Sequence, residues 1–244
     1  NAAELIFYVV ANLFINQKIN MTSGFTLSLD SSIPLGCGLG SSAACIVSVM
    51  KALCEQFELS LETDLFIALA KQAENLRHGY SSGLDLHVCY HECGVLFSKT
   101  SQSLRQFRPF RFYAVNTGEP EATTGECVSQ ARPHLENNAS LLNAFKVTTL
   151  AIDRALQEED IATLHAMIRQ NHRLLVDIGV VPRHTQQFIE AIEALDGCAK
   201  ICGAGSIRGD KAGYVMMLAD DLIIRELQRD FDYHFEQLKY APKQ

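Results

Sequence analysis

Hydrophobic positions recur at helical spacing over long segments of this chain and alternate with polar positions only over short ones. The helical spacing covers 2–15, 45–57 and 61–76, which predicts three helices. Strict alternation in Phe25-Thr-Leu-Ser-Leu-Asp30 predicts a strand. Ser60 is the expected N-cap of the third helix. The first part of the chain is therefore predicted to run helix, strand, Gly-rich turn, helix, helix.

Strands are shorter and helices longer in the rest of the chain. The predicted strands are 94–98, 110–116, 198–202, 214–218 and 235–240. A helical pattern covers 139–195 with a break near Gly179-Val-Val-Pro182, and 221–233 forms a last helix. Because most strands lie outside the long helical stretch, we expect an α+β fold with two domains, 1–136 and 137–244.

Composition narrows the class of protein. The 244 residues are 48% hydrophobic and 20% charged, which is enough apolar material for a sizeable core. The net charge of −7 disfavours a nucleic-acid surface, and no apolar run approaches the ~20 residues of a membrane span. Eight cysteines in so core-rich a chain indicate reduced thiols, so we expect a cytoplasmic protein with neither nucleic-acid nor membrane partners. The chain opens without Met, so we also expect residues upstream of Asn1.

The strongest chemical signal is a Gly-rich turn between the predicted strand and the second helix. Gly36, Gly38 and Gly40 permit a close backbone approach, and the following helix offers unpaired N–H groups and a positive dipole end. Ser41 and Ser42 add hydroxyls that suit a phosphate or Mg²⁺. The segment therefore fits a phosphate cradle, and an ordinary strand-to-helix turn is the alternative.

Two carboxylates form the second signal. Glu74 closes the third predicted helix, where the dipole disfavours an anion and a cation would compensate. Together with Ser42 it could hold Mg²⁺, which takes one or two protein oxygens plus substrate phosphates. Asp85, beyond a polar loop, could orient or deprotonate a hydroxyl nucleophile. The alternative is a solvated helix end and a loop aspartate.

Several segments together resemble one superfamily. Pro34-Leu-Gly-Cys-Gly-Leu-Gly-Ser-Ser-Ala-Ala44 resembles the phosphate-binding motif of the GHMP kinases. Within that superfamily, Glu74-x-x-x-His78-Gly79-x-x-Ser82-Gly83-x-Asp85 is similar to the mevalonate kinase pattern, with Ser81 in place of the usual Pro. Thr124 takes the Thr position of the family's substrate-side loop, and Lys200-Ile-Cys-Gly-Ala-Gly205 starts like the third motif. The resemblance covers essentially the whole chain from Pro34 onward.

The resemblance implies a GHMP kinase-like fold of two α+β domains with ATP in the cleft between them. It implies that Mg²⁺ is held by Ser42 and Glu74, and that Asp85 acts on the substrate hydroxyl. The residues implied around the ATP phosphates are Pro34, Gly36, Gly38, Leu39, Gly40, Ser41, Ser42 and Ala43. The residues implied around the acceptor are His78, Ser82, Thr124, Gly203 and Ala204.

The chain departs from the family pattern in two places. The third motif usually continues as a run of glycines, but here it continues as the longer and charged segment Ser206–Gly213. Arg208 or Lys211 is a candidate phosphate contact there, and a solvated loop charge is the alternative. The family's N-terminal motif, with a basic residue near the substrate, has no counterpart here and would lie upstream of Asn1.

The resulting hypothesis is a small-molecule kinase that transfers the γ-phosphoryl group of MgATP to a primary alcohol. By resemblance the acceptor is mevalonate and the product 5-phosphomevalonate, in isoprenoid precursor synthesis. A phosphomevalonate kinase or a sugar kinase is the alternative within the class. A non-catalytic, ATP-binding regulatory homologue is the alternative outside it. Dimers are common among such enzymes, so a homodimer is a further expectation.

Overall fold

The structure is a computed structural model that describes residues 2–21, 23–79, 81–107 and 110–239, with the backbone alone at residues 2, 77 and 78. The helices in these residues are α1 (Ala2–Gln17), α2 (Ser41–Gln56), α3 (Thr63–His78), α4 (Leu84–His91), α5 (Thr124–Glu136), α6 (Ala139–Glu158), α7 (Ile161–Asp177), α8 (Arg183–Ala194) and α9 (Asp221–Asp230). The strands are β1 (Gly94–Phe97), β2 (Gln102–Arg105), β3 (Phe112–Asn116), β4 (Cys198–Ile201), β5 (Tyr214–Leu218) and β6 (Phe235–Gln237). The predicted α+β class is confirmed.

The chain divides into two compact units. Unit 1 comprises Asn1–Leu35 and Gly40–Arg105, and unit 2 comprises Gly36–Leu39 and Gln106–Gln244. The compact units therefore change over earlier in the chain than the expected domain boundary after residue 136, because β3 pairs with the later strands β5 and β6. That boundary stays a prediction about the family's domains.

Unit 1 is a helical layer with a small hairpin. Helices α1, α2 and α3 pack against one another, and α4 packs on α2 and β1. Its core is apolar, with Leu13, Ile46, Met50, Leu53 and Leu86 at most 2% exposed. Burying a side chain of this size contributes about 1.5–3 kcal/mol, so the core fixes the ends of α2, α3 and α4 relative to one another.

Unit 2 is built on an antiparallel sheet in the order β4-β5-β3-β6. The register pairs Val115 with Val215 at the centre of the sheet, and both side chains are fully buried. Helix α8 covers the sheet with Phe188, Ile189 and Ile192, all fully buried in the same core. This sheet holds the start of the third motif, which follows β4 directly.

Two sequence predictions in unit 1 were wrong. Residues 25–30 alternate in hydrophobicity but form no strand in the described chain. Phe25 packs instead with Phe14 and Phe57, with ring centroids 5.9 Å away in both pairs. The third helix begins at Thr63 with Glu62 as N-cap, so Ser60 is not its cap.

Sequence reasoning also missed helix α4 and strand β2. Leu86, Val88 and Tyr90 alternate with polar residues, which suits a strand as well as a short helix. The helix places Asp85 in its first turn rather than in a loop. Among the described residues, none of the helices is long and apolar enough to cross a membrane.

Candidate active site

The Gly-rich turn adopts a backbone that few residues other than glycine tolerate. Gly36, Gly38 and Gly40 have φ of +75°, +84° and +65°. At Gly38 a Cβ would lie 2.7 Å from the carbonyl oxygen of Cys202, so a side chain would overlap backbone there. The turn from Gly36 to Leu39 is thus packed directly against Cys202, within the start of the third motif.

The start of α2 has features that suit an anion. Its N-cap residue, Gly40, makes no side-chain capping bond, and its first turn carries no acidic residue. Its first intrahelical bond runs from Ala44 N to Gly40 O at 2.9 Å. The N–H groups of the first turn, together with the helix dipole, therefore form the electropositive helix start that binds phosphate in many proteins.

Gly40 also sets how closely Asp85 approaches the start of α2. A Cβ on Gly40 would lie 3.4 Å from Asp85 Cγ and 3.6 Å from Asp85 Oδ2. The Asp85 side chain is exposed in the first turn of α4, where the helix dipole favours the ionised carboxylate. Within unit 1 a carboxylate therefore lies beside the start of α2, the helix that is predicted to hold phosphate.

A second carboxylate is buried nearby. Glu74 is only 7% exposed and accepts a hydrogen bond from Ser81 Oγ. Burial raises the pKa of Glu74; the bond from Ser81 opposes this rise, the negative charge of Asp85 adds to it, and the positive charge of Lys71 opposes it. A buried carboxylate with a raised pKa gains most from a cation, so Glu74 fits a metal ligand better than a solvated helix end.

Ser42 supplies the second observation for a cation. Its Oγ atom is buried and has no hydrogen-bond partner in the part of the chain that the structure describes. An unsatisfied buried hydroxyl is uncommon in proteins and costs free energy unless a ligand or water completes it. The hydroxyl of Ser42 and the carboxylate of Glu74 are both hard oxygen donors, the type that Mg²⁺ takes.

The loop between α3 and α4 is held by its own polar groups. Ser81 N donates to Asn75 Oδ1 at 2.7 Å, and Ser81 Oγ accepts from Gly83 N at 3.0 Å. Lys71 Nζ donates to the carbonyl oxygen of Ser82 at 3.2 Å. Ser81, which stands where the family has Pro, therefore fixes the loop by hydrogen bonds. The side chain of His78, a predicted acceptor contact, lies outside the described residues.

Unit 2 carries the remaining predicted site residues. Thr124 is exposed at the first position of α5, and Gly203 and Ala204 follow β4. A Cβ on Gly203 would lie 2.6 Å from Gly38 Cα, so the third motif and the Gly36–Leu39 turn cross backbone to backbone. The roles of these residues toward ligands stay predictions.

The side chain of Arg208 is half-exposed and donates hydrogen bonds to neighbouring protein groups. Its Nη1 donates to Glu126 Oε1 at 2.8 Å and its Nη2 to Glu126 Oε2 at 3.1 Å and to the carbonyl oxygen of Glu121 at 3.0 Å. The aliphatic part of Lys211 packs against Gly118. In this structure the guanidinium group of Arg208 is therefore held by protein acceptors. A contact from Arg208 to a phosphate stays a prediction.

Sequence reasoning missed two participants, Lys71 and Glu126. The signal for Lys71 was its position one helical turn before Glu74, where side chains share a face. The signal for Glu126 was the spacing Thr123-x-x-Glu126, a capping box that the structure contains. Both signals are common in helices without function, so neither singled the residue out.

Comparison with known proteins identifies the fold and the family that this chain resembles. Residues 5–92 match the family model for the GHMP kinases N terminal domain. The solved Methanococcus jannaschii mevalonate kinase has a TM-score of 0.79 and 20% identity, covering 96% of this chain and 74% of that one. A solved Streptococcus pneumoniae phosphomevalonate kinase with phosphomevalonate and AMPPNP has a TM-score of 0.73 at 19% identity, covering 96% and 81%. The chain has the GHMP kinase fold, and the resemblance drawn from its motifs is confirmed.

The curated relatives are more specific. The mevalonate kinase of Archaeoglobus fulgidus is 29% identical over 201 residues, covering 81% of this chain and 68% of the relative. The chain spans 64% of the length of the Pyrococcus furiosus mevalonate kinase, which is also 29% identical. Among the GHMP kinases, mevalonate kinase is thus the protein that this chain resembles, as its Glu74-to-Asp85 pattern predicted.

Proposed function

We propose that this protein is a kinase that transfers the γ-phosphoryl group of MgATP to the primary hydroxyl of mevalonate. The observation that carries the proposal is the approach of the Asp85 carboxylate to Gly40, at the start of α2. A phosphate held at this helix start and a hydroxyl held at Asp85 would be neighbours. That proximity is the main requirement of phosphoryl transfer.

Each residue of unit 1 then has a distinct role. The N-terminus of α2, from Gly40 onward, binds the phosphates of ATP. Asp85 accepts the proton of the acceptor hydroxyl while the new O–P bond forms, and the bond between the γ-phosphorus and the oxygen of the leaving ADP breaks. Ser42 and Glu74 would hold Mg²⁺, which neutralises charge on the phosphate oxygens when bound. Lys71 and Ser81 position the loop that precedes Asp85.

The acceptor is inferred from similarity rather than from a pocket. The curated relatives compared above are mevalonate kinases. The pattern from Glu74 to Asp85 resembles that of the same family, with Ser81 in place of the usual Pro. The unit 2 residues Thr124, Gly203 and Ala204 are the proposed acceptor contacts of that half of the chain.

The test is release of ADP by the full-length protein with MgATP and a panel of acceptors. The panel is mevalonate, phosphomevalonate, galactose and homoserine, and Asp85→Asn is the matched inactive variant. Turnover on mevalonate that the variant loses would support the proposal. Turnover on another acceptor alone would retain the kinase and replace mevalonate.

Thermal stability with and without MgATP separates a kinase from the regulatory alternative. A ligand that binds the folded state raises the melting temperature by mass action whether or not it reacts. A melting temperature that rises with MgATP, with no turnover on any acceptor, would indicate an ATP-binding homologue without activity. No change on adding MgATP would contradict both functions.

A further inference from the structure

The charged segment Ser206–Gly213 forms hydrogen bonds to other parts of unit 2 at its two ends and at Asp210. Ser206 Oγ accepts from Ala122 N at 3.3 Å, Thr185 Oγ1 donates to the carbonyl oxygen of Asp210 at 3.2 Å, and Gly213 N donates to Gly118 O at 3.0 Å. Since the segment directly follows the third motif, these bonds fix the backbone on one side of Gly203 and Ala204.

The segment is also joined to α5 by the ion pair of Arg208 and Glu126. The two guanidinium nitrogens reach the two carboxylate oxygens, which is the bidentate geometry that an arginine forms and a lysine cannot. The pair orients Arg208 away from any role as a freely swinging charge. The bonds from Arg208 and Thr123 lower the pKa of Glu126 to about 2, so the carboxylate stays ionised at neutral pH.

Glu126 lies in the first turn of α5, two residues after Thr124. Its side chain also accepts from Thr123 N at 2.8 Å and from Thr123 Oγ1 at 2.9 Å, as part of the capping box. One residue further on, Cys127 Sγ donates to the carbonyl oxygen of Gly205 at 3.6 Å. The start of α5 is therefore joined to the third motif at both Gly205 and Arg208.

We propose that Arg208 is a positioning residue for the acceptor: through Glu126 it fixes the first turn of α5, and with it the hydroxyl of Thr124, relative to Gly203 and Ala204. The inference rests on the proposed function. It assigns the atypical third loop to the positioning of the residues that are proposed to contact the acceptor. A direct bond from Arg208 to a phosphate of ATP is the rival explanation of the same charge.

Steady-state kinetics distinguish the two explanations because they affect different constants. The variants are Arg208→Gln, Glu126→Gln and the double variant, and Arg229→Gln is the control because Arg229 forms a similar exposed pair with Glu226 in unit 2. We expect each single variant to raise the KM for mevalonate on the order of tenfold, with kcat and the KM for MgATP within about twofold. The double variant is expected to be no worse than either single one, because both remove the same link. Arg229→Gln is expected to leave all three constants unchanged.

Arg208→Lys tests whether the fork matters as well as the charge. It retains the charge but loses the second hydrogen bond, so we expect a KM for mevalonate between those of wild type and Arg208→Gln. This variant also serves if Arg208→Gln does not fold. A raised KM for MgATP with an unchanged KM for mevalonate would overturn the inference in favour of a phosphate contact.

Two further results separate failure of this inference from failure of the proposed function. Wild-type turnover with the KM for mevalonate unchanged in Arg208→Gln and in Glu126→Gln would overturn the positioning role alone. Absence of turnover by the wild type on any acceptor would overturn the proposed function and this inference with it.

Discussion

Two glutamates, Glu74 in unit 1 and Glu126 in unit 2, experience opposite environments. Glu74 is buried, and burial raises its pKa despite a bond from Ser81. The side chain of Glu126 is 43% exposed, and Arg208 and Thr123 lower its pKa to about 2. Lys71 offsets the effect of burial on Glu74 only in part. Glu126 instead has a two-point ion pair with Arg208 and takes part in a capping box.

The contrast distinguishes residues that a bound ligand would stabilise from residues that stabilise the fold through contacts within the protein. An ionised carboxylate buried beside a second carboxylate destabilises the free protein, and a bound cation would relieve it. The unpartnered Oγ of Ser42 in the same unit is a cost of the same kind. Glu126 accepts hydrogen bonds from Arg208 and Thr123, so we expect its loss to change the positions of the residues that it joins rather than the chemical step. Unit 1 is therefore expected to show losses of function without losses of stability.

The largest effect is expected from Asp85→Asn. The amide keeps the shape of the side chain but cannot accept the hydroxyl proton, and a positioned base contributes about 10²–10⁴-fold to rate. We expect ADP release to fall within that range while the rise of melting temperature with MgATP is preserved. Asp64→Asn, an exposed aspartate in the first turn of α3, is the control and should retain its activity. Unchanged turnover in Asp85→Asn would remove Asp85 from its catalytic role.

Glu74→Gln is expected to cause a smaller loss of activity than Asp85→Asn. Without metal, it is expected to leave the stability of the protein unchanged or to raise it. Gln keeps an acceptor for Ser81 but carries no charge, so affinity for Mg²⁺ should fall about 10–100-fold, measured as the Mg²⁺ concentration that gives half-maximal turnover. Because the pKa of Glu74 is raised on folding, its ionisation lowers the stability of the metal-free wild type as pH rises above the ordinary pKa of Glu.

The stability measurement provides the sharper check of Glu74. Without metal, Glu74→Gln should melt at the same temperature as wild type or higher at pH 7, and the difference should vanish below the ordinary pKa of Glu. A metal-free variant that melts well below wild type would mean that Glu74 is a structural residue like Glu126, and the contrast between the two units would fail.

Much of the fold followed from pattern because local spacing and tertiary packing agree in it. The strand at Tyr214–Leu218 and the long helices between residues 139 and 195 have cores whose periodicity matches their elements. Residues 25–30 did not, because a strand needs a partner and alternation only reports a half-buried surface. Phe25 found an aromatic cluster instead.

The candidate site was predictable where a motif specifies backbone and unpredictable where contacts come from far along the chain. The glycines at 36, 38 and 40 have positive φ, a conformation that the sequence indicates because glycine adopts it most readily. The pairing of Arg208 with Glu126 joins residues 82 positions apart, and no local spacing encodes it. The approach of Asp85 to Gly40 likewise depends on how α4 packs on α2.

A third prediction concerns the backbone crossing in unit 2. Gly203 has φ of +65°, and a Cβ there would lie 2.6 Å from Gly38 Cα, where no flexible side chain can yield. Gly203→Ala should therefore lower stability by about 1–3 kcal/mol, measured by denaturant unfolding. Gly125→Ala is the matched control, because Gly125 lies in α5 with nothing within 4 Å of its Cβ position, and alanine there should stabilise slightly. Equal stability of the two variants would mean that the crossing relaxes without cost.

The smallest effect on stability is expected from Glu126→Gln. The pH dependence of the melting temperature distinguishes this effect from that of Glu74→Gln. Gln at this position can still complete the capping box, so the variant removes mainly the charge that faces Arg208. A carboxylate whose pKa is lowered on folding stabilises the protein above its ordinary pKa and loses that contribution as pH falls toward about 2. The melting temperature of Glu126→Gln should therefore be slightly lower than that of wild type at pH 7, and the two should converge between the ordinary pKa of Glu and pH 2. Glu226→Gln, which removes the exposed i,i+3 pair with Arg229, is the matched control. A variant that melts above wild type at pH 7, with a difference that vanishes as pH falls, would have the sign expected of Glu74, and it would mean that Glu126 is destabilised in the folded protein rather than held by Arg208.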